Sequence, residues 1–326
     1  MSSNNTKIEW TERTWNPVRG CSRVSEGCRN CYAETFAARF TNPGQAFEGF
    51  AVRTPQGPRW TGKVELSLGN LWDPISWRKP SLVFVNSMSD LFHEDLPEGQ
   101  IARIFTVMRE ASHHTYQILT KRPARMLDIM RRLDWWYGWD GESGGWSATI
   151  CSPGEKPDSP FILPNVWLGV SVENQATADE RIPLLLDLRD LAAVRFLSCE
   201  PLLGPLDLGR YLFDENGEPC KECGERIRIS SGQGVICGCC SEGLEPADAY
   251  RVDWLIAGGE SGRNARPCDP DWLRSLRDQC QGAQVPYFLK QLGGRRNKRG
   301  GDAAVLDGRR WVEMPTAYKP AEIVTA

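Results

Sequence analysis

The stretch Leu82-Val83-Phe84-Val85-Asn86 is the clearest sign of the fold in this chain of 326 residues. It is a short, continuously apolar run, which is typical of a strand covered on both faces, as in a parallel sheet. An amphipathic helix is predicted to follow, and its apolar side carries Ile101, Ile104, Phe105 and Met108. The rest of the chain repeats this unit of a strand and then a helix.

Five more apolar strands follow, and helices are predicted between most of them. The strands are expected at 116–120, 166–170, 194–197, 254–257 and 286–289. One helix is predicted to begin at Pro123, because proline suits the first helical position. Two further helices are expected at 176–190 and 271–281. Serial βα units predict an α/β fold with a parallel sheet, and periodicity alone leaves a barrel and a doubly wound sheet open.

Two long gaps interrupt this rhythm, at residues 134–164 and 207–250. We expect both to be insertions in a single domain that spans residues 1–326. The segment 41–80 is rich in glycine, proline and tryptophan, has no clear period, and is expected to run over the surface. A first strand is expected within residues 7–14.

The composition is that of an ordinary globular protein, with 40% hydrophobic and 25% charged residues. The net charge of −3 excludes a general basic field, so nucleic-acid binding would need a local patch. The polar N-terminus lacks the apolar core of a signal peptide, and no apolar run approaches the length that crosses a bilayer. These features predict a cytoplasmic protein without a membrane partner, in which clustered cysteines indicate metal binding rather than disulfides.

Polar side chains recur where each predicted strand ends. They are Asp90, Lys121, Arg122, Glu173, Asn174, Glu200, Glu260, Ser261, Lys290 and Gln291. In parallel barrels the active site lies at the carboxyl ends of the strands. A shared pocket is therefore expected, although any strand must also end in polar residues at the surface.

Three cysteines, Cys21, Cys28 and Cys31, lie in a glycine-bounded loop with the spacing C-x6-C-x2-C. Three thiolates can hold three corners of a [4Fe-4S] cluster and leave the fourth iron open to a small molecule. Zinc with a fourth ligand from elsewhere is the main alternative, and three unconnected core cysteines are another. A helix is predicted directly after the loop. Its apolar face would carry Tyr32, Phe36, Ala37 and Phe40.

The string N-P-x-x-G-C…G-C-x-x-C-Y-A, from Asn16 to Ala33, resembles the cluster loop of the radical S-adenosylmethionine superfamily, especially its branch around spore photoproduct lyases. Outside the two insertions, the chain resembles an uncharacterised, phage-associated three-cysteine family of the same superfamily. The strings that carry this resemblance are V-N-S-M-S-D-L-F-H at 85–93, L-T-K-R-P at 119–123, G-V-S-V-E-N-Q at 169–175, S-C-E-P-L at 198–202 and G-G-E-S-G at 258–262. The usual superfamily spacing is C-x3-C-x2-C, whereas the first gap here holds six residues.

The resemblance implies a partial (β/α) barrel whose [4Fe-4S] cluster binds S-adenosylmethionine. On receiving an electron from a donor such as flavodoxin or ferredoxin, such a site produces a 5′-deoxyadenosyl radical. The residues suggested for S-adenosylmethionine are Ser87 and Asp90, Lys121 for its carboxylate, and Ser171, Glu173 and Asn174 for its ribose. The candidates for catalysis are Cys199, Glu200 and Glu260.

A second group of cysteines, at 220–240, contains two C-x2-C pairs separated by a short polar hairpin. The pairs are Cys220 with Cys223 and Cys237 with Cys240, and Cys239 is a surplus thiol that could replace Cys240. This spacing is typical of a small zinc ribbon that holds structural Zn2+, with a further iron–sulfur cluster or no metal as alternatives. Because the segment has few apolar residues, a metal would supply much of its folding free energy.

Two other stretches bear on the substrate. The insertion at 134–164 is rich in tryptophan, and its aromatic side chains can stack on nucleobases or form a small satellite core. The basic run R-R-N-K-R at 295–299 lies among glycines, and it can hold phosphates or be solvated surface. Together with the lyase-like loop, these stretches favour a nucleic acid or a nucleotide as the substrate.

The sequence thus predicts a radical S-adenosylmethionine enzyme that acts on a nucleic acid or a nucleotide. A metal-stabilised protein that binds nucleic acid or a partner without radical chemistry is the alternative. A non-radical iron–sulfur sensor or electron carrier is a third hypothesis. The reaction class, whether lyase, transferase or oxidoreductase, is left open.

Overall fold

The computed structural model describes residues 6, 8–137, 146–158, 163–212, 228–229, 235–236, 251–294 and 303–316. The chain divides into two compact units, and the division lies between Val170 and Ser171. None of the helices in this described part is long and apolar enough to cross a membrane.

The described part of unit 1 combines parallel strands, three antiparallel pairs and five helices. Its strands are β1 (Arg13–Trp15), β2 (Val18–Arg19), β3 (Ala51–Thr54), β4 (Gly57–Trp60), β5 (Glu65–Leu66), β6 (Leu82–Val85), β7 (Thr115–Thr120), β8 (Leu133–Tyr137), β9 (Trp146–Ile150) and β10 (Leu163–Ser171). Its helices are α1 (Tyr32–Ala37), α2 (Leu68–Leu71), α3 (Asp73–Ser76), α4 (Glu98–Glu110) and α5 (Pro123–Arg132). Strands β1, β6, β7 and β10 pair in parallel, and β2 with β5, β3 with β4, and β8 with β9 are antiparallel.

Unit 2 continues the alternation of strands and helices. Its helices are α6 (Gln175–Leu186), α7 (Gly209–Leu212) and α8 (Pro270–Ala283). Its strands are β11 (Ala192–Cys199), β12 (Arg228–Ile229), β13 (Val235–Ile236), β14 (Trp254–Gly258), β15 (Tyr287–Gln291), β16 (Val305–Leu306) and β17 (Arg309–Arg310). Strands β11, β14 and β15 pair in parallel, and β12 with β13 and β16 with β17 are antiparallel.

The parallel strands follow the order β1-β6-β7-β10-β11-β14-β15 in one seven-stranded sheet. Each new strand is added beside the previous one, and the order never reverses. A doubly wound sheet has a point of reversal, whereas a (β/α) barrel adds its strands in sequence order. The predicted fold class, α/β with the parallel sheet of a partial barrel, is confirmed.

The buried faces agree with the sequence pattern in the long helices and strands. Helix α4 buries the four residues expected on its apolar side, Ile101, Ile104, Phe105 and Met108. All five residues of β14 are buried, as expected for a strand covered on both faces. Burying one such aliphatic or phenyl side chain contributes about 1.5–3 kcal/mol. Repeated burial of this kind accounts for the regular βα units.

The short helix α1 departs from the expectation. The residues that it buries are Ala33, Glu34 and Ala37. Its aromatic residues Tyr32 and Phe36, and Phe40 just after it, are exposed. The predicted apolar face of this helix is therefore wrong for its three aromatic residues, which lie at the surface.

A buried carboxylate explains which side of α1 faces the protein. Glu34 Oε1 accepts a hydrogen bond from Arg23 Nε at 3.1 Å and another from the backbone N–H of Trp60 at 2.7 Å. A buried carboxylate must be paired and hydrogen-bonded, so the side of α1 that carries Glu34 faces the protein. The aromatic side then faces outward.

Two other boundaries differ from the sequence-based expectation. The first strand begins at Arg13 rather than earlier within 7–14, because Arg13–Trp15 is the part that pairs with β6. The expected surface excursion at 41–80 contains the short elements β3 to β5, α2 and α3. These elements are too short to leave a period in the sequence.

Gly259, directly after β14, provides a test of the packing between β14 and β15. A Cβ at this position would lie 2.5 Å from the backbone O of Leu292 and 2.8 Å from Cys268 Cβ. We expect Gly259→Ala to lower the free energy of unfolding by about 1–3 kcal/mol, since overpacking forces the backbone to shift. Urea unfolding followed by circular dichroism measures this change. Gly99→Ala in α4 is the control, because nothing lies within 4 Å of its Cβ; a Gly259→Ala protein as stable as this control would contradict the close packing.

Candidate functional site

The cysteine loop is fastened to the residues that follow β6. Asn16 Oδ1 accepts a hydrogen bond from Ser87 Oγ at 3.1 Å, and Asn86 Oδ1 accepts one from the backbone N–H of Val18 at 3.2 Å. Ser89 Oγ donates to the backbone O of Val18 at 2.9 Å. The chain entering the loop is thus held at the carboxyl end of a parallel strand. Ser87 uses its hydroxyl in this anchor, and its suggested role toward S-adenosylmethionine stays a prediction.

Gly20 is the point at which the loop passes closest to its neighbours. Its φ is +89°, and a Cβ would lie 1.9 Å from the backbone O of Lys63 and 2.7 Å from Phe50 Cδ1. Gly20 also forms an isolated parallel bridge with Ser89. Only glycine combines a positive φ with so close an approach. The start of the cysteine segment is therefore fixed in place.

The three cysteines of the loop are all half-buried. Cys28 ends a single 3₁₀ turn, Glu26–Cys28, and its backbone N–H donates to the O of Ser25 at 3.0 Å. Cys31 lies directly before α1, and its backbone N–H donates to the O of Cys28 at 3.3 Å. Two successive tight turns thus present the second and third cysteines, as the short C-x2-C spacing requires.

The charges around the loop act on the thiols in opposite directions. Burial raises the pKa of Cys21 to about 12, Asp90 raises it further, and the guanidinium of Arg122 lowers it. The charges on Cys31 and Cys28 also raise the pKa of Cys21. Burial raises the pKa of Cys31, whereas backbone N–H groups at the start of α1 lower it. Metal ligation needs the thiolate form, so Arg122 and the helix N–H groups favour ligation, whereas the larger effect of burial opposes it.

The arrangement of thiols differs from that of a site for one ion. Among the described residues, no three His, Cys, Asp or Glu side chains are arranged to hold a single metal ion. A four-iron cluster is a larger body and takes each thiolate on a different iron, so its ligands need not converge on one point. The three half-buried thiols have an arginine and helix N–H groups beside them, and a cluster at this loop stays a prediction.

Asp90 joins the carboxyl ends of β6 and β7 in unit 1 through four hydrogen bonds. Its Oδ1 accepts from Thr120 Oγ1 at 2.7 Å and from the backbone N–H of Phe92 at 3.0 Å. Its Oδ2 accepts from the backbone N–H of Lys121 and from Arg122 Nη1, both at 3.1 Å. A carboxylate has about four acceptor sites, so protein donors use the whole group. The suggested roles of Asp90 and Lys121 toward S-adenosylmethionine stay predictions.

Arg122 connects the hydrogen bonds of Asp90 to the cysteine loop. Its Nη2 donates to Ser22 Oγ at 2.8 Å, and its Nε donates to Glu94 Oε2 at 2.7 Å. Ser22 Oγ also lies 2.8 Å from His93 Nε2, while the backbone N–H of Asp95 donates to His93 Nδ1 at 3.1 Å. The neutral ring therefore carries its proton on Nε2, and burial together with Arg122 lowers the pKa of His93. A buried cation thus holds the residue next to Cys21.

Sequence reasoning missed several residues of these networks. In unit 1 they are Ser22, His93, Glu94 and the Arg23–Glu34 pair, and in unit 2 they are Arg181 and Arg266. A local signal existed for His93 and Glu94, because they follow Asp90 at the same strand end.

In unit 2 the three residues suggested for the ribose are engaged within the protein. Glu173 is fully buried and accepts from Arg181 Nη1 at 3.1 Å. The same Nη1 donates to the backbone O of Ser171 at 2.8 Å. Asn174 caps α6, and its Oδ1 accepts from the backbone N–H of Thr177 at 3.0 Å. Their suggested role in binding the cofactor stays a prediction.

The candidates for catalysis also lie in unit 2. Lys290 Nζ lies 2.7 Å from both carboxylate oxygens of Glu200. This ion pair joins the ends of β11 and β15. Glu260 pairs with Arg266, whose Nη2 lies 2.8 Å from Glu260 Oε1. Cys199 is buried in the core, and burial raises its pKa well above the ordinary value. The structure thus brings Glu200 and Lys290 together, and the pocket expected to be shared by all the strand ends stays a prediction.

Several predicted features fall partly or wholly outside the described residues. Those outside are Cys220, Cys223, Cys237, Cys240 and the basic run 295–299. Between the two cysteine pairs, β12 and β13 form the hairpin that was expected there. In the other insertion, the guanidinium of Arg109 lies 4.7 Å from the ring centre of Trp135, and Trp136 is 58% exposed. The zinc ribbon and the nucleobase contacts stay predictions.

A family model described as "Protein of unknown function (DUF5131)" matches residues 5–315. The chain belongs to this family. No curated protein and no solved structure matches it. The DUF5131 match spans both units and includes the cysteine loop and the 220–240 segment.

The Asp90–Arg122 pair can be tested by a double-mutant cycle. Asp90→Asn leaves the buried guanidinium without its main partner and should lower the free energy of unfolding by about 3 kcal/mol. Arg122→Met should cost a similar amount, because it strands the carboxylate. The double variant should be less destabilised than the sum of the two, as measured by urea unfolding. The exposed Asp95→Asn is the control, with a change within about 0.5 kcal/mol; additive single effects would contradict the coupling.

The thiol of Cys21 should react slowly in the folded, metal-free protein. Because burial raises its pKa to about 12, Cys21 is protonated at pH 8.5 (about the ordinary thiol pKa) and lacks the reactive thiolate. In urea its pKa should return to the ordinary value, and alkylation by iodoacetamide should accelerate. Mass spectrometry of the peptide that contains Cys21 measures both rates. Equal rates in the folded and unfolded protein would contradict the burial of this thiol.

Proposed function

We propose that this protein is a radical S-adenosylmethionine enzyme in which Cys21, Cys28 and Cys31 hold a [4Fe-4S] cluster. One observation carries the proposal. The three thiols are half-buried, lie within electrostatic reach of one another, and belong to a loop fastened to the carboxyl ends of parallel strands. Active sites of parallel barrels lie at this edge of the sheet.

When bound, the cluster and S-adenosylmethionine would supply reductive cleavage of the sulfonium and a radical that removes hydrogen from the substrate. The chain's own residues would hold and orient these groups. Arg122 would offset the negative charge of the Cys21 thiolate, and backbone N–H groups of α1 would do so at Cys31. Asp90 would keep Arg122 in place through the hydrogen bond at 3.1 Å.

The substrate that we propose is a nucleic acid or a nucleotide. Exposed Trp136 offers a surface on which a base can stack, and the basic run at 295–299 offers charges for phosphates. We propose structural zinc at the second cysteine group on the strength of its spacing. A cytoplasmic location fits the proposal, because reducing conditions keep clustered thiols available to metals.

Anaerobic reconstitution with iron and sulfide tests the proposal. The protein should gain about four iron atoms per chain at the loop and the visible absorbance of an iron–sulfur cluster. Cys21→Ala, Cys28→Ala and Cys31→Ala should each lose most of this absorbance. Cys151→Ala, at a half-buried cysteine outside the loop, is the matched control and should keep it. With dithionite and S-adenosylmethionine, the loaded protein should form 5′-deoxyadenosine.

The possible outcomes separate the hypotheses. A loaded cluster that forms no 5′-deoxyadenosine would rule out radical catalysis of this kind. Zinc instead of iron at the loop, together with salt-dependent binding of an oligonucleotide, would favour the metal-stabilised nucleic-acid-binding protein.

A further inference from the structure

A row of exposed aromatic side chains runs along α1 and the turn after it, where the sequence pattern predicts burial. Tyr32 is 61% exposed, Phe36 44% and Phe40 39%. They follow one another at intervals of four residues, which is the spacing of neighbours on one side of a helix. The ring centres of Phe36 and Phe40 lie 5.1 Å apart. Several aromatic faces are therefore open to solvent at one place on unit 1.

Tyr32 fixes one end of this row beside the cysteine loop. It directly follows Cys31, and its hydroxyl donates to the backbone O of Ser87 at 2.5 Å. Ser87 lies just after β6 and also takes part in anchoring the loop, through its hydrogen bond to Asn16 Oδ1. The ring of Tyr32 is thus held at both ends while most of it is exposed. A flat ligand can stack on such a ring without the cost of ordering it first.

Arginines lie next to the aromatic row at both ends. Arg29 belongs to the cysteine loop, and Arg39 lies in the turn after α1, where its backbone N–H donates to the O of Phe36 at 3.0 Å. Both arginines are exposed, and within the described part of the chain neither has a side-chain partner. Arg53 Nε donates to the backbone O of Ala38 at 2.9 Å, which brings a third exposed arginine to the end of α1.

The charge of this region is opposite in sign to that of the whole chain. Residues 19–60 contain six arginines, three glutamates and no other charged residue, a net charge of +3 in a chain of −3. One of the three glutamates, Glu34, is buried in its pair with Arg23. A surface of this kind repels a second copy of itself and attracts a polyanion.

We use the name α1 surface for Arg29, Tyr32, Phe36, Arg39, Phe40 and Arg53. Positive charges beside open aromatic rings are the combination by which proteins bind single-stranded nucleic acids. The charges follow the phosphates, and the rings stack on bases that are not already stacked in a duplex. Because the α1 surface begins within the cysteine loop, a strand bound to it would lie next to the loop.

The length of the α1 surface favours a strand over a single nucleotide. Arg29 and Arg39 lie at opposite ends of α1, and the six residues of this helix alone span about 9 Å. One nucleotide extends a stacked strand by about 3.4 Å. Phosphates on both arginines therefore belong to different nucleotides of one strand.

We propose that the α1 surface binds a single-stranded stretch of nucleic acid, an inference that rests on the proposed function because it names the form in which the substrate reaches the cysteine loop. Phosphates of the strand would lie on the arginines at the two ends of α1. Unpaired bases would stack on Tyr32 and Phe36. The strand would thus be held by groups that the basic run at 295–299 and Trp136 do not include.

A binding titration tests the aromatic part of the surface. A labelled, mixed-sequence single strand of about 12 nucleotides, followed by fluorescence anisotropy, should bind the whole chain more tightly than a duplex of the same sequence does. Phe36→Leu keeps an apolar side chain but removes the stacking face, so it should weaken binding about tenfold, whereas Phe36→Trp should bind at least as tightly as the unaltered protein. Trp72→Leu is the matched control and should leave binding unchanged, because Trp72 is an exposed aromatic residue outside the α1 surface.

The arginines should act through the salt dependence of the same binding. Arg29→Gln/Arg39→Gln removes two phosphate contacts, so the slope of log Kd against log salt concentration should fall by about 1.4, at about 0.7 for each contact to a single strand. Arg78→Gln/Arg103→Gln removes two exposed arginines elsewhere in unit 1 and should keep the slope of the unaltered protein. Phe36→Leu should keep that slope too, because stacking releases no counterions.

Photo-crosslinking then locates the strand on the protein. A bromouracil-substituted strand, irradiated with the whole chain and followed by digestion with trypsin, should label the peptide 30–39, which lies between the cleavage sites at Arg29 and Arg39. Labelling confined to other peptides would overturn the α1 surface as the binding site.

The remaining outcomes also decide the inference. The α1 surface is refuted by a protein that binds no single strand, that binds the duplex equally well, or in which Phe36→Leu binds as tightly as Trp72→Leu. Loss of binding to anionic phospholipid vesicles, or of self-association, in variants that still bind the strand would overturn it as well. A protein that takes up no cluster or forms no 5′-deoxyadenosine refutes the proposed function, and the titration, which needs no cluster, then decides the α1 surface alone.

Discussion

The buried ion pair between Asp90 and Arg122 is the interaction on which the carboxyl edge of unit 1 depends. The carboxylate joins the ends of β6 and β7, and the guanidinium reaches Ser22 in the cysteine loop. A buried charge that loses its partner costs several kcal/mol, so this geometry has few alternatives. The pair therefore fixes a loop that has little regular structure of its own. Cys21, next to Ser22, is held within reach of a positive charge.

Much of the fold was predictable because long βα units leave a strong period in the sequence. The four inward residues of α4 and the helix start at Pro123 are examples. Helix α1 itself was predicted, but its buried side was not predictable from its period. Its buried side is chosen by Glu34, which pairs with Arg23 eleven residues earlier and with the backbone of Trp60. A tertiary contact of this kind overrides the apolar pattern of a six-residue helix.

The candidate site was predictable where its signal is local. The cysteine spacing and the acidic residues at strand ends lie within short stretches of sequence. The pairings between stretches were not predictable, since Arg122 and Ser22 are 100 residues apart and Lys290 and Glu200 are 90 apart. Such pairs depend on strand order and register, which periodicity does not contain. The Arg181–Glu173 pair differs from these, because Arg181 follows Glu173 by only eight residues and lies on the buried side of α6. A local signal for this pair existed in the sequence, although it was missed.

The electron paramagnetic resonance spectrum of the reconstituted, dithionite-reduced protein, recorded with and without S-adenosylmethionine, tests the central claim most directly. Three cysteines leave one iron of a four-iron cluster without a protein ligand. We predict a signal from the reduced cluster that changes its g values when S-adenosylmethionine is added. A cluster signal that is identical with and without S-adenosylmethionine would contradict the claim that Cys21, Cys28 and Cys31 form an open site for this cofactor.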